Sequence, residues 1–357
     1  MKVLFSGGGT KGSVTPLLAV AEELCRVEPT AEFFWLGTDG GPEQKVIAEY
    51  QIPFQAISSG KLRRYFSLRN FIDPFLVIVA YFQSLKILYR QKPDVIVTAG
   101  GFVAVPVVWA GWLLKIPSVI HQQDIMPGLA NKLMAPIAKK ITVTLEQSIK
   151  YFVKNKTRWI GNPVRASILT GSKDKAIQTF DLNADKPTVL VLGGGTGALK
   201  LNQLIVESLD QLLSFCQIIH ITGQEKGVAS NQEMPAGYHQ YEFLTADLKD
   251  AIAAADLVVS RAGFGFLSEL AAWSKAVILI PMPGSHQEAN ANYFTKNNAV
   301  ATLSQRNLTT ENLVVSIKKL VHNISDRANL QRNIKAVMKW GADKEMVEII
   351  KELTDKK

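Results

Sequence analysis

The chain has 357 residues, 47% of them hydrophobic, and 40 Lys+Arg against 31 Asp+Glu give it a formal net charge of +9. That length predicts about two domains, and the apolar content excludes a disordered, collagen-like or disulfide-scaffold protein. All of the charge excess lies in residues 1–165, with 20 basic and 11 acidic side chains, whereas residues 166–357 balance at 20 of each.

Residues 2–6 read as a short buried strand that runs into Gly7-Gly8-Gly9-Thr10 and then an amphipathic helical run over 16–26. Further strands are expected at 33–36, 95–98, 118–121 and 141–144 in the first half, and at 188–192, 218–222, 257–260 and 276–280 in the second. The opening plan recurs 186 residues later, where strand 188–192 leads into Gly193-Gly194-Gly195-Thr196-Gly197 and a helical run over 201–213. Helical runs separate most strands, so the fold class is α/β, with two Rossmann-like domains built on parallel sheets. The expected division is 1–162 and 163–340, near Gly161-Asn162-Pro163. A last amphipathic helix over about 328–357 is expected to carry residues 341–357 back onto the first domain.

The longest uncharged run, residues 95–114, is interrupted by Gly100, Gly101, Pro106 and Gly111. It reads as a buried strand and a buried helix, not a membrane span. The N-terminus lacks an apolar stretch with a small-residue cleavage site, so no secretory leader is expected. Cys25 and Cys216 both lie in apolar stretches and are expected as buried thiols in a reducing compartment.

A glycine turn between strand and helix exposes backbone N–H groups at the positive end of the helix dipole, which suits a phosphate. Neither glycine cluster has the dinucleotide G-x-G-x-x-G register or a P-loop lysine, which argues against a nicotinamide dehydrogenase. More informative is Arg261-Ala262-Gly263-Phe264-Gly265-Phe266-Leu267-Ser268-Glu269, where a strand turns through two glycines into a helix. Ser268 and Glu269 fall in its first turns, and a carboxylate there can accept two hydrogen bonds from vicinal ribose hydroxyls. Next, Pro281-Met282-Pro283-Gly284-Ser285 delivers His286, Gln287 and Asn290 to the start of another helix, a polar set suited to sugar hydroxyls. No zinc-ligand spacing and no Asp-x-Asp pair occurs, so no cofactor and no essential metal are expected.

Five segments in this order carry a resemblance: residues 8–16 (Gly-Gly-Thr-Lys-Gly-Ser-Val-Thr-Pro), 100–106, 121–132 (His-Gln-Gln-Asp-Ile-Met-Pro-Gly-Leu-Ala-Asn-Lys), 161–165 and 261–269. Together they resemble the peptidoglycan N-acetylglucosaminyltransferases of glycosyltransferase family 28. The resemblance implies the glycosyltransferase B fold, with the two sheets facing a cleft. It also implies inverting transfer of N-acetylglucosamine from UDP-GlcNAc to lipid I, undecaprenyl-diphospho-muramoylpentapeptide, to give lipid II. On matching positions Arg165 would contact the donor diphosphate. Leu244 and the turn of Phe264, Gly265, Phe266, Leu267 and Ser268 would cradle uridine, with Glu269 on the ribose. Gln287 would bind the GlcNAc hydroxyls, with Asn290 close by. Thr10, Lys11 and Gly12 would face the diphosphates, Gly195 and Thr196 would serve the donor, and His121, Gln122, Gln123 and Asn131 would hold the acceptor.

This chain departs from the family pattern at chemically pointed places. Ser13 stands where the family has histidine, Lys11 where it has glycine, and Gly195-Thr196 where it has Ser-Gln. His121-Gln122-Gln123-Asp124 replaces His-Glu-Gln-Asn, which moves the carboxylate to the fourth position. An inverting displacement needs a base for the acceptor hydroxyl proton. Asp124 is the candidate for that role, and Lys11 for stabilising diphosphate charge in place of the missing imidazole. Two other readings stay open here: a related glycolipid synthase with another lipid acceptor, and a non-catalytic binder of UDP-sugar or lipid diphosphate.

Residues 61–92 carry seven basic side chains and one acid, with Arg63, Arg64 and Arg69 among Tyr65, Phe66 and Phe71. No nucleic-acid motif accompanies them. Rings entering a lipid interface while Lys and Arg meet anionic headgroups account better for this composition. The expected location is cytoplasmic, peripheral on the inner face of the cell membrane, with no nucleic-acid partner.

Overall fold

In the computed structural model the strand–helix alternation resolves into two units, Met1–Arg165 with Lys339–Lys357, and Ala166–Met338. The structure describes residues 1–9, 11–41, 43–58, 60, 69–194, 198–227 and 234–355, without the side chains of residues 11, 69–72 and 74. Thr10, Arg63, Arg64, Tyr65, Phe66, Gly195 and Thr196 lie outside the described residues, as do the side chains of Lys11, Arg69 and Phe71.

The described strands of the first unit are β1 (Lys2–Ser6), β2 (Glu32–Thr38), β3 (Phe54–Ile57), β4 (Val95–Thr98), β5 (Ser118–Gln122), β6 (Lys140–Val143) and β7 (Thr157–Trp159). They form a parallel sheet in the order β3-β2-β1-β4-β5-β6-β7. Its helices are α1 (Thr15–Val27), α2 (Glu43–Glu49), α3 (Arg69–Gln91), α4 (Ala104–Leu113) and α5 (Leu129–Met134). In the second unit β8 (Thr188–Leu192), β9 (Gln217–Ile221), β10 (Tyr238–Tyr241), β11 (Leu257–Ser260), β12 (Val277–Leu279) and β13 (Ala301–Thr302) pair in parallel in the order β10-β9-β8-β11-β12-β13. The later helices are α6 (Lys173–Thr179), α7 (Leu199–Glu207), α8 (Leu209–Leu213), α9 (Leu248–Ala254), α10 (Phe264–Ala272), α11 (His286–Lys296), α12 (Thr310–His322), α13 (Ile324–Ala336) and α14 (Ala342–Thr354).

In each sheet the chain starts at an inner strand, works outward one way, then returns to the other side. The reversal falls between β1 and β4 in the first sheet and between β8 and β11 in the second. Ligands of open α/β sheets bind outside the carboxyl ends of the strands at such a reversal. The loops that leave these four strands begin in the four glycine-bearing segments at 7–9, 100–101, 193–194 and 261–263.

The central strands are apolar runs because helices cover both faces: Leu4, Phe5, Val97, Leu190 and Val259 are fully buried. Four strands escape the apolar-run criterion, namely β3, β7, β10 and β13, and each is the outermost strand on its side of a sheet. Their residues are mostly half-exposed, so no continuous apolar run marks them.

Two expected helices are broken. The run over 201–213 divides at Ser208, whose hydroxyl donates to Leu204 O at 2.7 Å. The run over 328–357 divides at Gly341, which is left-handed at φ 83°. Beyond that break α14 inserts Met346, Val347, Ile349 and Ile350 into the core of the first unit beside Leu17, Leu18 and Leu24 of α1.

Two burial expectations are corrected. Cys216 is buried but Cys25 is exposed, because α1 turns Leu24 inward and the next residue outward. The helix within 95–114 is not wholly buried: α4 packs its Ala and Val side chains inward and leaves Trp109, Trp112 and Leu113 exposed. A helix apolar on all sides buries the side that fits the sheet, and here the small residues fit.

Candidate active site

In the first unit three loops meet at the carboxyl ends of β1, β4 and β5. The loop after β1 is anchored by Trp35, whose indole Nε1 donates to Gly7 O at 2.9 Å. The loop after β4 packs directly on it: at Gly101, left-handed at φ 97°, a Cβ would stand 2.9 Å from Gly8 O. Only glycine permits both that conformation and that approach. Ser13, in the short helical turn before α1, is buried at 8% exposure.

The segment after β5 is held from within. His121 has no solvent exposure, and its Nδ1 and Nε2 lie 2.9 Å from Thr142 Oγ1 and 2.8 Å from Asn162 Oδ1. Burial pushes its pKa down to about 4, so the imidazole is neutral. Gln122 Nε2 donates to Asp124 O at 2.7 Å and Met126 O at 3.3 Å, while its Oε1 accepts from Asn131 Nδ2 at 2.6 Å. Asn131 Oδ1 is buried and has no hydrogen-bond partner among the described residues. Of the residues expected on the acceptor, His121, Gln122, Gln123 and Asn131 are all buried, whereas Asp124 is half-buried in the loop they shape.

In the second unit the loops after β11 and β12 are cross-tied. Arg261 Nη1 donates to Ile280 O at 2.8 Å, and Asn290 Nδ2 donates back to Ala262 O at 3.0 Å. Asn290 is fully buried. Ser285 caps α11 by accepting from Gln287 N, and the Gln287 side chain folds back so that Oε1 accepts from Met282 N at 3.1 Å. His286 is exposed at the first position of that helix. On α10, Phe264, Gly265, Leu267, Ser268 and Glu269 are buried, Phe266 is half-buried, and the Ser268 hydroxyl donates to Phe264 O at 2.7 Å. Leu244 is buried as well. Arg165, half-buried, reaches Tyr50 Oη at 3.5 Å from Nη1.

Sequence reasoning missed a second polar cluster in this unit. His220, fully buried on β9, has Nδ1 at 2.8 Å from Tyr238 Oη and Nε2 at 3.2 Å from Asn202 Oδ1. Asn202, on α7 just after the second glycine cluster, donates to Thr222 O at 2.9 Å and Lys226 O at 3.0 Å. Burial lowers the His220 pKa to about 4 and raises that of Tyr238. The only sequence signal was a histidine inside an apolar strand and an asparagine on the inward face of an amphipathic helix. Among the described residues no three His, Cys, Asp or Glu side chains come together as a metal site.

Exposed apolar side chains of the first unit occur within residues 61–92 and also beyond them. Helix α3 buries Ala80, Ile87 and Leu88 on one side and exposes Phe75, Ile78, Val79 and Phe82 on the other. It packs on α4, which packs on α5. Trp112 on α4 and Leu129 and Leu133 on α5 are exposed too. No helix among the described residues is long and apolar enough to cross a membrane.

Comparison with known proteins agrees with this geometry. Residues 3–143 match the glycosyltransferase family 28 N-terminal domain and residues 188–353 its C-terminal domain. A "UDP-N-acetylglucosamine--N-acetylmuramyl-(pentapeptide) pyrophosphoryl-undecaprenol N-acetylglucosamine transferase" of Clostridium botulinum (strain Alaska E43 / Type E3) is 41% identical over 338 residues, 93% of each chain. A Bacillus thuringiensis (strain Al Hakam) transferase of the same name, numbered 3, is 37% identical over 90% of this chain and 92% of its own. The crystal structure of Acinetobacter baumannii MurG superposes with a TM-score of 0.70 at 25% identity, covering 98% of this chain and 99% of that one. The two parallel-sheet domains are those of the glycosyltransferase B fold. This chain belongs to glycosyltransferase family 28.

Proposed function

We propose that the enzyme transfers N-acetylglucosamine from UDP-GlcNAc to undecaprenyl-diphospho-muramoylpentapeptide, lipid I, giving lipid II and UDP with inversion at the anomeric carbon. One observation carries this reading: 41% identity, over 93% of both chains, to a transferase of that name. The polar and glycine-bearing loops at the strand reversals of both sheets support it.

In this reading the second domain holds the donor. Glu269 takes the ribose hydroxyls, the turn from Phe264 to Ser268 and Leu244 enclose uridine, and Gln287 meets the GlcNAc hydroxyls, while Arg165, at the end of the first unit, takes the diphosphate. Asn290 acts from behind, through its bond to Ala262 O. Gly195 and Thr196 are assigned to the donor by position in the sequence. In the first domain Asp124 accepts the proton of the acceptor hydroxyl as that oxygen bonds to the anomeric carbon. The bond to UDP breaks in the same step, and its electron pair leaves with the diphosphate. Thr10, Lys11, Gly12 and Ser13 serve the diphosphates, and Lys11 offsets their charge. His121, Gln122, Gln123 and Asn131 shape the loop that presents Asp124, with Gln123 closest to it in the chain.

The exposed face of α3, α4 and α5 meets an anionic membrane surface on its cytoplasmic side, with Lys86 and Arg90 on α3, and Arg63, Arg64, Tyr65, Phe66, Arg69 and Phe71 are assigned to the same surface by their position in the sequence. No nucleic acid and no cofactor take part. The test is UDP release and product analysis with lipid I in detergent micelles, with EDTA present, against diacylglycerol as the competing acceptor. Lipid II formed in EDTA is the expected result. UDP released without lipid II, or transfer to diacylglycerol alone, overturns the reading.

A further inference from the structure

Glu43, the first residue of α2, has no solvent exposure. Its Oε1 accepts from Thr38 N at 2.8 Å and from the Thr38 hydroxyl, and its Oε2 accepts from Gly9 N at 3.2 Å. The space it fills exists because two neighbours lack side chains: a Cβ on Gly8 would stand 2.1 Å from Oε1, and one on Gly41 would stand 2.3 Å from Oε2. No salt bridge to Glu43 occurs among the described residues. A buried carboxylate held by neutral donors is a costly way to fill a gap, since a well-packed apolar side chain usually serves stability as well or better. The arrangement does one thing an apolar residue cannot. It ties the end of β2 to the loop that leaves β1 at the strand reversal, through the backbone amide of that loop.

We propose that Glu43 is a positioning residue of the transfer reaction, fixing the first glycine loop by drawing the Gly9 amide inward. The proposal rests on the reading that this loop serves the diphosphates. It also alters how that loop works. A glycine loop before a helix ordinarily offers its amides to an anion, but the Gly9 amide is already taken by a carboxylate. The loop is therefore a shaped support for the residues that follow it, not an anion grip at Gly9.

The test compares wild type, Glu43→Gln and Thr38→Val. Glutamine keeps the size but offers one acceptor oxygen, so its NH2 group must face either Thr38 N or Gly9 N. In Glu43→Gln, turnover with lipid I is expected to fall on the order of 10- to 100-fold, the loss that goes with a small misplacement of reacting groups. UDP-GlcNAc affinity is expected to fall less than turnover, because the uridine and sugar contacts lie in the second domain and the loop meets only the diphosphates. Deuterium exchange is expected to rise at residues 7–13 while the second sheet stays protected. Wild-type turnover in Glu43→Gln, or faster exchange throughout the chain, overturns the proposal. Should Glu43→Gln fail to fold, Thr38→Val, which removes only the hydroxyl donor, decides by the same two measurements. A wild-type enzyme that transfers nothing to lipid I condemns the proposed function instead, and the exchange at residues 7–13 still reports on Glu43.

Discussion

His121 Nε2 and Asn162 Oδ1 lie 2.8 Å apart in a site closed to solvent, which fastens the end of β5 to the segment that follows β7. With the Asn162 oxygen as acceptor, Nε2 carries the proton and Nδ1 accepts from Thr142. His220 in the second unit is held in the same way, between Tyr238 and Asn202.

Both histidines are neutral when folded, with pKa values near 4 against 6.5 for a free imidazole. Above pH 6.5 neither state binds the extra proton and their contribution to stability is complete. As pH falls from 6.5 towards 4 the unfolded chain takes up protons that the folded chain refuses, so stability drops. The slope approaches about 1.4 kcal/mol per pH unit for each histidine. Denaturant unfolding between pH 7 and 5 is expected to show this loss, and His220→Gln to reduce it by about half, whatever its own stability. An unchanged slope in His220→Gln removes the basis for calling the site closed.

Asp124→Asn separates base chemistry from binding. A general base contributes about 10²- to 10⁴-fold, so turnover is expected to fall by at least the lower figure with UDP-GlcNAc affinity unchanged. Near-normal turnover in this variant would eliminate Asp124 as the base.

The central strands were legible in the sequence and the edges were not, for one reason. Strands 95–98, 188–192 and 257–260 are walled by helices on both faces and paired on both sides, so they are buried throughout and apolar except for Thr98, Thr188 and Ser260. Strand β10, by contrast, is Tyr-His-Gln-Tyr, and only Tyr238 is fully buried. The site divided likewise. Glycine clusters marked the loops at both strand reversals, because glycine records a local backbone demand. Glu43 and His220 were invisible because each also joins a residue distant in sequence: Glu43 lies five residues from Thr38 but 34 from Gly9, and Asn202 lies 18 from His220. Nothing local in Gly-Pro-Glu-Gln says that the glutamate points inward.

The apolar face can be tested without touching the chemistry. Phe75, Phe82 and Trp112 are 69%, 63% and 60% exposed. Burying one such ring is worth about 1.5–3 kcal/mol, so replacing all three by serine is expected to weaken binding to phosphatidylglycerol vesicles by more than ~10-fold. Raised salt should weaken the wild type as well, through Lys86 and Arg90. UDP-GlcNAc affinity in solution should not move. Flotation of the triple variant with vesicles at the wild-type level would count against this face.

Gly161 and Gly341 separate backbone strain from lack of space. Both are left-handed, at φ 91° and φ 83°. Around Gly341 nothing lies within 4 Å of a Cβ, whereas at Gly161 a Cβ would stand 2.1 Å from Lys339 O. Lys339 cannot give way freely: its Nζ donates to Trp159 O at 2.8 Å and pairs with Glu345 at 2.7 Å, and Arg158 holds the same carboxylate at 3.1 Å. Gly341→Ala therefore costs only the left-handed backbone term, about 1–2 kcal/mol. Gly161→Ala adds a backbone clash and is expected to cost about 2 kcal/mol more, within the range of strained or overpacked sites. It should also loosen α14, whose approach to the first sheet begins at Lys339, so deuterium exchange should rise over residues 342–354 in Gly161→Ala. Equal losses in the two variants, read from urea midpoints at constant m, would mean that the Gly161–Lys339 approach places no constraint on the returning chain.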